Sequence, residues 1–295
     1  MNWIRDWGLT IRMVITMFLL AVIYLGFITL LYIVGFPLTY IMIIAGLMLF
    51  IQFYFSDKIV LLSTGARIVD EHEAPELHAI VRKLCQRANL PMPKIAIVNS
   101  PVPNAFATGR SPSSAVVAVT TGLLKTLNWD EIEAVLGHEL SHIKNRDVAI
   151  MTIASFIATV AWFVARYAMF MGMFGDDRRE NSAAIGIALF LISMIVWLIS
   201  TLLMLALSRY REFAADTGSA ILTRKPQALI SALAKISGRM DLIPPEYKKE
   251  IEGLNAFFII PAISGETIAS LFSTHPPVEK RIERLKRIAM EMGIW

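Results

Sequence analysis

The segment Val135–Asp147 reads VLGHELSHIKNRD and places two histidines four residues apart, with a glutamate between them. In a helix, positions i and i+4 lie on one face, so His138 and His142 can present their imidazoles to one metal ion. Glu139 lies about 100° further round the helix, where its carboxylate can face a water molecule as a general base. This H-E-x-x-H spacing is typical of zinc hydrolases, in which the metal makes hydroxide available near neutral pH.

A catalytic zinc takes three protein ligands and keeps one position open, so a third ligand must come from elsewhere in the chain. The metzincin continuation is absent, because residues 145 and 148 are Asn and Val. The segment REFAAD, residues 211–216, again places two acidic residues at i and i+4. We assign Glu212 to a single Zn²⁺ ion per chain, and we expect Asp216 to accept a hydrogen bond from a ligating imidazole and fix its tautomer. The alternative for this pair is an exposed acidic helix face.

The other three histidines of the chain lie outside these two segments. His275 precedes two prolines, which hold its imidazole on a rigid loop. Two roles fit this position: a donor to the oxyanion that develops when a peptide carbonyl is attacked, or a structural loop residue. His72 and His78 have charged neighbours and are expected to be solvated.

Long uncharged intervals predict that the chain crosses a membrane. The 295 residues are 56% hydrophobic, with a mean hydropathy of +0.58, which is more apolar than one soluble domain. A span needs about 20 apolar residues, and the first interval is long enough for two spans with a break at Gly35 and Pro37. Arg166 is the only charged residue inside the third span, where it either reaches toward the outer interface or faces a polar cavity. The four predicted spans are residues 13–34, 38–56, 150–174 and 183–208.

Lysine and arginine near the ends of these spans predict the orientation. The turn at 34–40 carries no charge, and the segment GDDRREN, residues 175–181, carries two arginines. The remaining basic residues near span ends fall on the other side: Arg5, Arg12, Lys58, Arg67, Lys144, Arg146, Arg209 and Arg211. Both termini and both polar regions are therefore expected to be cytoplasmic.

Composition also indicates which binding partners and which redox compartment to expect. The net charge of +4 suits a chain beside anionic lipid, and no motif indicates nucleic-acid binding. The single cysteine, Cys85, cannot form an intramolecular disulfide, which agrees with a reducing compartment. We assign Cys85 to packing on an apolar helix face.

The polar regions are predicted to form a β/α part before the second pair of spans and a helical part after it. A capping-box pattern, Asn128 with Glu131, starts the helix that carries the histidine motif. The REFAAD segment continues the fourth span as a helix, and the last helix is expected to hold Pro277 in its first turn. A helix is predicted at 76–88, and strands at 94–99, 104–109 and 115–122.

Four motifs in this order resemble the HtpX-type membrane zinc metalloproteases, which are related to the CAAX prenyl proteases and the mitochondrial stress protease Oma. They are NAFATG, GHELSHIKNRD, SRYREFAADTGSA and STHPPVEKRIERL. The resemblance implies His138, His142 and Glu212 as zinc ligands and Glu139 as the base. It also implies a protease domain on the cytoplasmic side of a bacterial inner membrane. Its substrates would be damaged, misassembled or unfolded membrane proteins.

The expected fold is therefore an α+β membrane protein with four transmembrane helices and a gluzincin-like zinc protease domain split by the second transmembrane hairpin. The predicted parts are the first transmembrane hairpin, the sheet with the histidine helix, the second hairpin, and a helical part with the third ligand. Their ranges are 1–56, 57–147, 148–208 and 209–295.

The segment Asn104–Ala107 is a candidate substrate-binding strand. In proteases of the gluzincin kind, which this order of elements resembles, a strand at the sheet edge runs beside the cleft, and an unfolded peptide can add to it through main-chain hydrogen bonds. Ala105 and Ala107 are small and alternate with Phe106, so a peptide can approach one face closely. The alternative is an ordinary core strand without substrate contact.

Three functions are alternatives to a zinc endopeptidase with a broad substrate range. A transporter is disfavoured because no span carries paired ionisable residues or a broken-helix pattern. A scaffold with a structural zinc is disfavoured because such sites are usually closed and rich in cysteine. A prenyl-protein-type protease with a narrow substrate range is the alternative within the enzyme class.

Overall fold

The computed structural model describes residues 7–35, 38–174, 182–241 and 275–294. Pro37 of the predicted break and the segment 175–181 lie outside the described residues. The helices are α1 (Trp7–Ile33), α2 (Leu38–Tyr54), α3 (Ser56–Thr64), α4 (Pro75–Ala88), α5 (Thr121–Thr126), α6 (Trp129–Asn145), α7 (Asp147–Phe174), α8 (Ser182–Thr223), α9 (Pro226–Asp241) and α10 (Val278–Glu291). The strands are β1 (Arg67–Val69), β2 (Lys94–Val98), β3 (Ala105–Thr108) and β4 (Val116–Thr120).

Three described helices, α1, α7 and α8, are long and apolar enough to cross a membrane. The helices α2 and α3 meet at a bend of 66° and would make a fourth span if the bent pair is counted as one. The helix α2 ends at Tyr54, two residues before the predicted end of the second span, and α3 continues beyond that end after the bend. Large apolar side chains on these helices are exposed, as surfaces that face lipid are.

The sheet has four described strands in the order β1-β2-β4-β3. The central pair, β2 and β4, is parallel, and both outer pairs are antiparallel. Among the described strands β3 pairs with β4 alone and lies at the edge of the sheet. The three-residue strand β1 was not predicted, because so short a segment carries no detectable alternation.

The strand predicted at 115–122 ends two residues early, at Thr120. The hydroxyl of Thr120 accepts a hydrogen bond from the backbone N–H of Leu123 at 3.1 Å and so caps α5. Gly122, which falls within the predicted strand, lies inside α5, where an added Cβ would stand 2.2 Å from the carbonyl oxygen of Pro101. The segment is rich in residues that favour strands, but the strand ends where the Thr120 hydroxyl caps the following helix.

The helix α6 carries the histidine motif through the centre of the polar region. The predicted capping box is confirmed: the backbone N–H of Asn128 donates to the Glu131 carboxylate, and the N–H of Glu131 donates to the Asn128 side chain, both at 2.9 Å. Eleven residues of α6, from Glu131 to Ser141, are buried. Apolar residues from before the second pair of spans and from after it form one continuous core around α6.

The helix α8 runs without a break from the membrane into the polar region. It has 42 residues, which confirms that the REFAAD segment continues the fourth span as a helix. It packs closely on α6 at Gly137, where an added Cβ would lie 3.0 Å from Thr223 Cγ2 and 3.2 Å from Ser219 Oγ. The Ser219 hydroxyl also donates to the carbonyl of Ala134 at 2.5 Å. The two motif-bearing helices therefore lie against each other.

The last described helix begins one residue later than predicted. Pro277 is its N-cap rather than a member of its first turn, because Pro277 has an extended ψ of 140°. Its carbonyl accepts hydrogen bonds from the backbone N–H groups of Lys280 and Arg281 at 3.1 and 3.2 Å. The loop that carries His275 therefore joins directly to α10.

Candidate metal centre

The structure brings together the three predicted ligands. His138 Nε2 and His142 Nε2 on α6 are 3.1 Å apart. Glu212 on α8 places Oε2 3.5 Å from His138 Nε2 and Oε1 3.3 Å from His142 Nε2. One ligand atom from each residue thus lies within 4.8 Å of the others, in the range that a single metal ion can bridge.

The orientation of the two imidazoles tests whether this group fits a metal. His138 Nδ1 lies 3.0 Å from Asp216 Oδ1, and His142 Nδ1 lies 2.6 Å from Asp147 Oδ2. A carboxylate accepts hydrogen bonds, so each contact places the imidazole proton on Nδ1 and leaves a lone pair on Nε2. Two nitrogen lone pairs and a carboxylate then converge on one point, an arrangement that a cation between them would stabilise. The donor set fits Zn²⁺.

The electrostatics of the site agree with this fit. Burial lowers the pKa of His138, but the carboxylates of Asp216 and Glu212 raise it on balance. For His142, the Glu212 carboxylate likewise outweighs burial and raises the pKa. The cavity therefore favours positive charge, which protons or a metal ion supply. Burial raises the pKa of Glu139, a carboxylate that is only 4% exposed.

Asp147 was not predicted to act on the metal site. The helix α6 ends at Asn145, Arg146 adopts a left-handed conformation with φ of 55°, and α7 begins at once with Asp147. This sharp junction turns the Asp147 carboxylate back toward His142. Arg211 on α8 forms an ion pair with Asp147 and donates to the carbonyl of Asn145 at 2.9 Å. No sequence spacing indicates this contact, because it depends on the angle between two helices.

Asp216 lies where it was predicted, and its second partner is Arg281. Arg281 on α10 is fully buried and donates to both oxygens of Asp216, at 2.9 Å from Nε and 2.6 Å from Nη2. Its Nη1 also lies 3.4 Å from Glu212 Oε2. A signal for Arg281 was present in the sequence. It shares one helix face with apolar Val278 and Leu285, where a lone arginine needs a buried partner.

His275 completes the cluster. It is buried, and its Nδ1 lies 2.9 Å from Glu212 Oε2. With Glu139 and the three candidate ligands it lines a cavity of ≈ 450 Å³. The residues Ala105–Thr108 of β3 line the same cavity. Strand, base and candidate ligands therefore surround one space.

Four other residues from the sequence analysis lie away from this cavity. Asn104 is not among the described residues that line it, and its backbone N–H and carbonyl are both bonded to Thr120. Arg166 is exposed on α7, with its guanidinium 5.0 Å from the ring of Trp162. Cys85 is buried in the core, as expected for a packing residue. His72, which is exposed, lies in a turn rather than in a helix.

Comparison with known proteins agrees with this geometry. The model of peptidase family M48 matches residues 71–289. The protease HtpX homolog 2 of Methanosarcina acetivorans is 55% identical over 292 residues, which are 99% of each chain. The protease HtpX homolog of Moorella thermoacetica is 54% identical over 288 residues, covering 97% of this chain and 96% of the relative.

A solved structure has a similar fold. The S. mikatae protein Ste24p matches with a TM-score of 0.59 and 22% identity, over 94% of this chain and 66% of that one. The family match covers most of the chain, and the relative from Methanosarcina acetivorans matches it over nearly its whole length. The chain therefore belongs to peptidase family M48 and is a metalloprotease related to the HtpX proteases.

Proposed function

We propose that the protein is an integral-membrane zinc endopeptidase that cleaves unfolded or damaged membrane proteins on the cytoplasmic side of the cytoplasmic (inner) membrane, in quality control and stress response. One observation carries this proposal: a single cavity is lined by the three candidate ligands, Glu139 and the edge strand β3. A hydrolytic centre and a surface that can hold extended polypeptide therefore meet at one place. An edge strand favours a broad substrate range over a narrow prenyl-protein range, because main-chain bonds ignore side-chain identity.

The chemistry follows from the positions of the side chains. His138, His142 and Glu212 would hold one zinc ion, which polarises the scissile carbonyl and lowers the pKa of a water molecule when bound. Glu139 accepts the proton of the attacking water and delivers it to the leaving amine. Burial raises the pKa of Glu139, which favours its taking up the proton. His275 donates a hydrogen bond to the developing oxyanion.

The register of the sheet supports β3 as the substrate strand. The backbone N–H of Thr120 donates to the carbonyl of Asn104 at 2.9 Å, so this is a hydrogen-bonded pair of the β3–β4 ladder. In an antiparallel ladder such pairs alternate, so the N–H and C=O groups of Ala105 and Ala107 point away from β4. Both alanines also line the cavity. Asn104 then anchors the strand to β4, while the alanines offer main-chain groups to a peptide.

We further propose four spans with both termini and the protease domain on the cytoplasmic side. The bent pair α2–α3 supplies the fourth span, and the second hairpin, α7 with α8, divides the protease domain into the proposed parts, 57–147 and 209–295. The distribution of lysine and arginine supports this orientation. Arg166 lies 19 residues beyond Asp147, or about 28 Å along the helix, which supports a position at the outer interface where its exposed guanidinium can reach polar headgroups.

Replacing the proposed base tests catalysis independently of metal binding. Glu139→Gln should lower cleavage of an unfolded membrane protein by about 10²- to 10⁴-fold, because no group then accepts the water proton. Zinc content, measured by atomic absorption, should stay at one per chain. Full cleavage by Glu139→Gln would refute the mechanism.

His275→Ala should lower kcat by about 10²- to 10³-fold with little change in KM. An unchanged kcat would make His275 a structural loop residue.

Removing the carboxylates that face the imidazoles should weaken the metal. Asp147→Asn and Asp216→Asn should each lower zinc affinity by about 10- to 100-fold, since the tautomer of the ligating histidine is no longer fixed. Competition with a chromogenic chelator measures this on folded protein. Asp130→Asn is the matched control, because its carboxylate on α6 is exposed and forms an ion pair with Lys225 rather than with a histidine of the site. Equal affinity in all three variants would show that neither aspartate positions a ligand.

A proline on the edge strand tests the substrate strand. Ala107→Pro removes an N–H that points away from β4, so the sheet and the zinc ligands should survive while KM for an unfolded substrate rises severalfold. Ala107→Ser keeps the N–H and serves as the control. The measurements are zinc content, thermal unfolding and steady-state cleavage. A folded, zinc-loaded Ala107→Pro protein with undiminished cleavage would place the substrate elsewhere.

Thiol labelling tests the orientation. A cysteine at residue 181 should react with a membrane-impermeant reagent from outside intact cells, whereas a cysteine in place of the exposed Ser63 should react only after lysis. The native cysteine does not interfere, because burial raises the pKa of Cys85 to about 11 and leaves its thiol protonated. The reverse labelling pattern would invert the proposed topology.

A further inference from the structure

The cavity at the candidate metal centre extends beyond the residues that the proposed chemistry uses. It continues between three apolar helices, where Gln52 of α2, Thr152 and Ser155 of α7, and Met204 of α8 line it. We call this extension, with the neighbouring Met151, the membrane arm. Peptide hydrolysis as described above needs none of these side chains. Their position therefore calls for a separate explanation.

The membrane arm reaches into the level of the bilayer. The helix α7 begins at Asp147, and its uncharged interval starts with the next residue. At 1.5 Å per residue, Thr152 lies about 7 Å and Ser155 about 12 Å along α7 from Asp147. Polar side chains in a span face protein or a cavity rather than lipid, and these two line the cavity. The arm is thus about two helical turns deep.

The lining of the arm combines satisfied hydroxyls with flexible apolar side chains. The hydroxyl of Thr152 donates to the carbonyl of Val148, and that of Ser155 donates to the carbonyl of Thr152, each at 2.8 Å. Their lone pairs stay available as acceptors for a peptide N–H. Met151 and Met204 adapt to apolar side chains of different shape. A purely apolar occupant, such as an acyl chain, would make no use of the oxygens.

We infer that the membrane arm binds the residues of a substrate that lie where its transmembrane segment ends. This inference rests on the proposed function. About four extended residues span 12 Å, so the arm takes the unwound last residues of a transmembrane segment while the polar residues beyond them add to β3. The preferred substrates are then membrane proteins in which the scissile bond lies within a few residues of the bilayer. A soluble unfolded chain engages β3 alone.

The test compares two substrates with one cleavage sequence. In the first, the sequence directly follows a transmembrane helix; in the second, a flexible Gly/Ser linker of about 20 residues, long compared with the arm, separates the two. Both are reconstituted with the full-length enzyme in liposomes. The wild type should cleave the first with the higher kcat/KM. Equal values for both substrates overturn the inference but leave the protease function intact, whereas cleavage of neither substrate refutes the protease function itself.

Filling the arm should remove this preference. Ser155→Phe should lower the ratio of kcat/KM for the two substrates about tenfold, because the phenyl ring occupies the space of the peptide. The smaller change Thr152→Leu repeats the test if Ser155→Phe does not fold. Ile153→Phe is the matched control, since Ile153 lies on the same helix but is 66% exposed on the lipid side. An unchanged ratio in the folded arm variants, with loss of a co-purified lipid detected by mass spectrometry, would make the arm a lipid site.

Discussion

The close contact between α6 and α8 holds the metal centre together. Gly137 allows the helices to approach, and the Ser219 hydroxyl fixes their register by donating to the carbonyl of Ala134. A larger residue at position 137 would push α8 outward and carry Glu212 away from the histidines. Since α7 and most of α8 separate His142 from Glu212 along the chain, the three candidate ligands meet only when α8 packs against α6.

Each carboxylate that faces one of the two candidate ligand imidazoles is also paired with an arginine. Asp216 receives two hydrogen bonds from Arg281, and Asp147 pairs with Arg211. A buried carboxylate without a cation would take up a proton, and a protonated carboxyl group no longer works purely as an acceptor. Burial raises the pKa of Asp216, but Arg281 and His138 lower it on balance, so that Asp216 stays ionised and His138 keeps its Nδ1 proton. Burying these two Asp–Arg pairs costs desolvation free energy, and the same pairs orient the two imidazoles.

Spacing within single helices predicted that His138 and His142 share one helix face and that Glu212 and Asp216 share another, because i and i+4 positions lie on one face whatever the tertiary structure. Arg281 could have been found, since it interrupts an apolar helix face. Asp147 could not, because its contact with His142 follows from the left-handed turn at Arg146 rather than from any periodicity. The bend after Tyr54 carries no signal either, as no proline or glycine accompanies it. Local rules thus predicted the candidate residues, whereas the angles between helices decide which side chains contact them.

The junction between α6 and α7 joins the metal centre to the membrane without an intervening loop. A single left-handed residue separates the helix of the histidines from a helix long enough to cross the bilayer. Because Asp147 both begins that helix and contacts His142, a tilt of α7 would move the carboxylate that orients a ligand. Arg211 ties α8 to the same carboxylate. The orientation of the metal ligands thus depends on how the two membrane helices pack, and a protease domain cut away from them would lack the support of one imidazole.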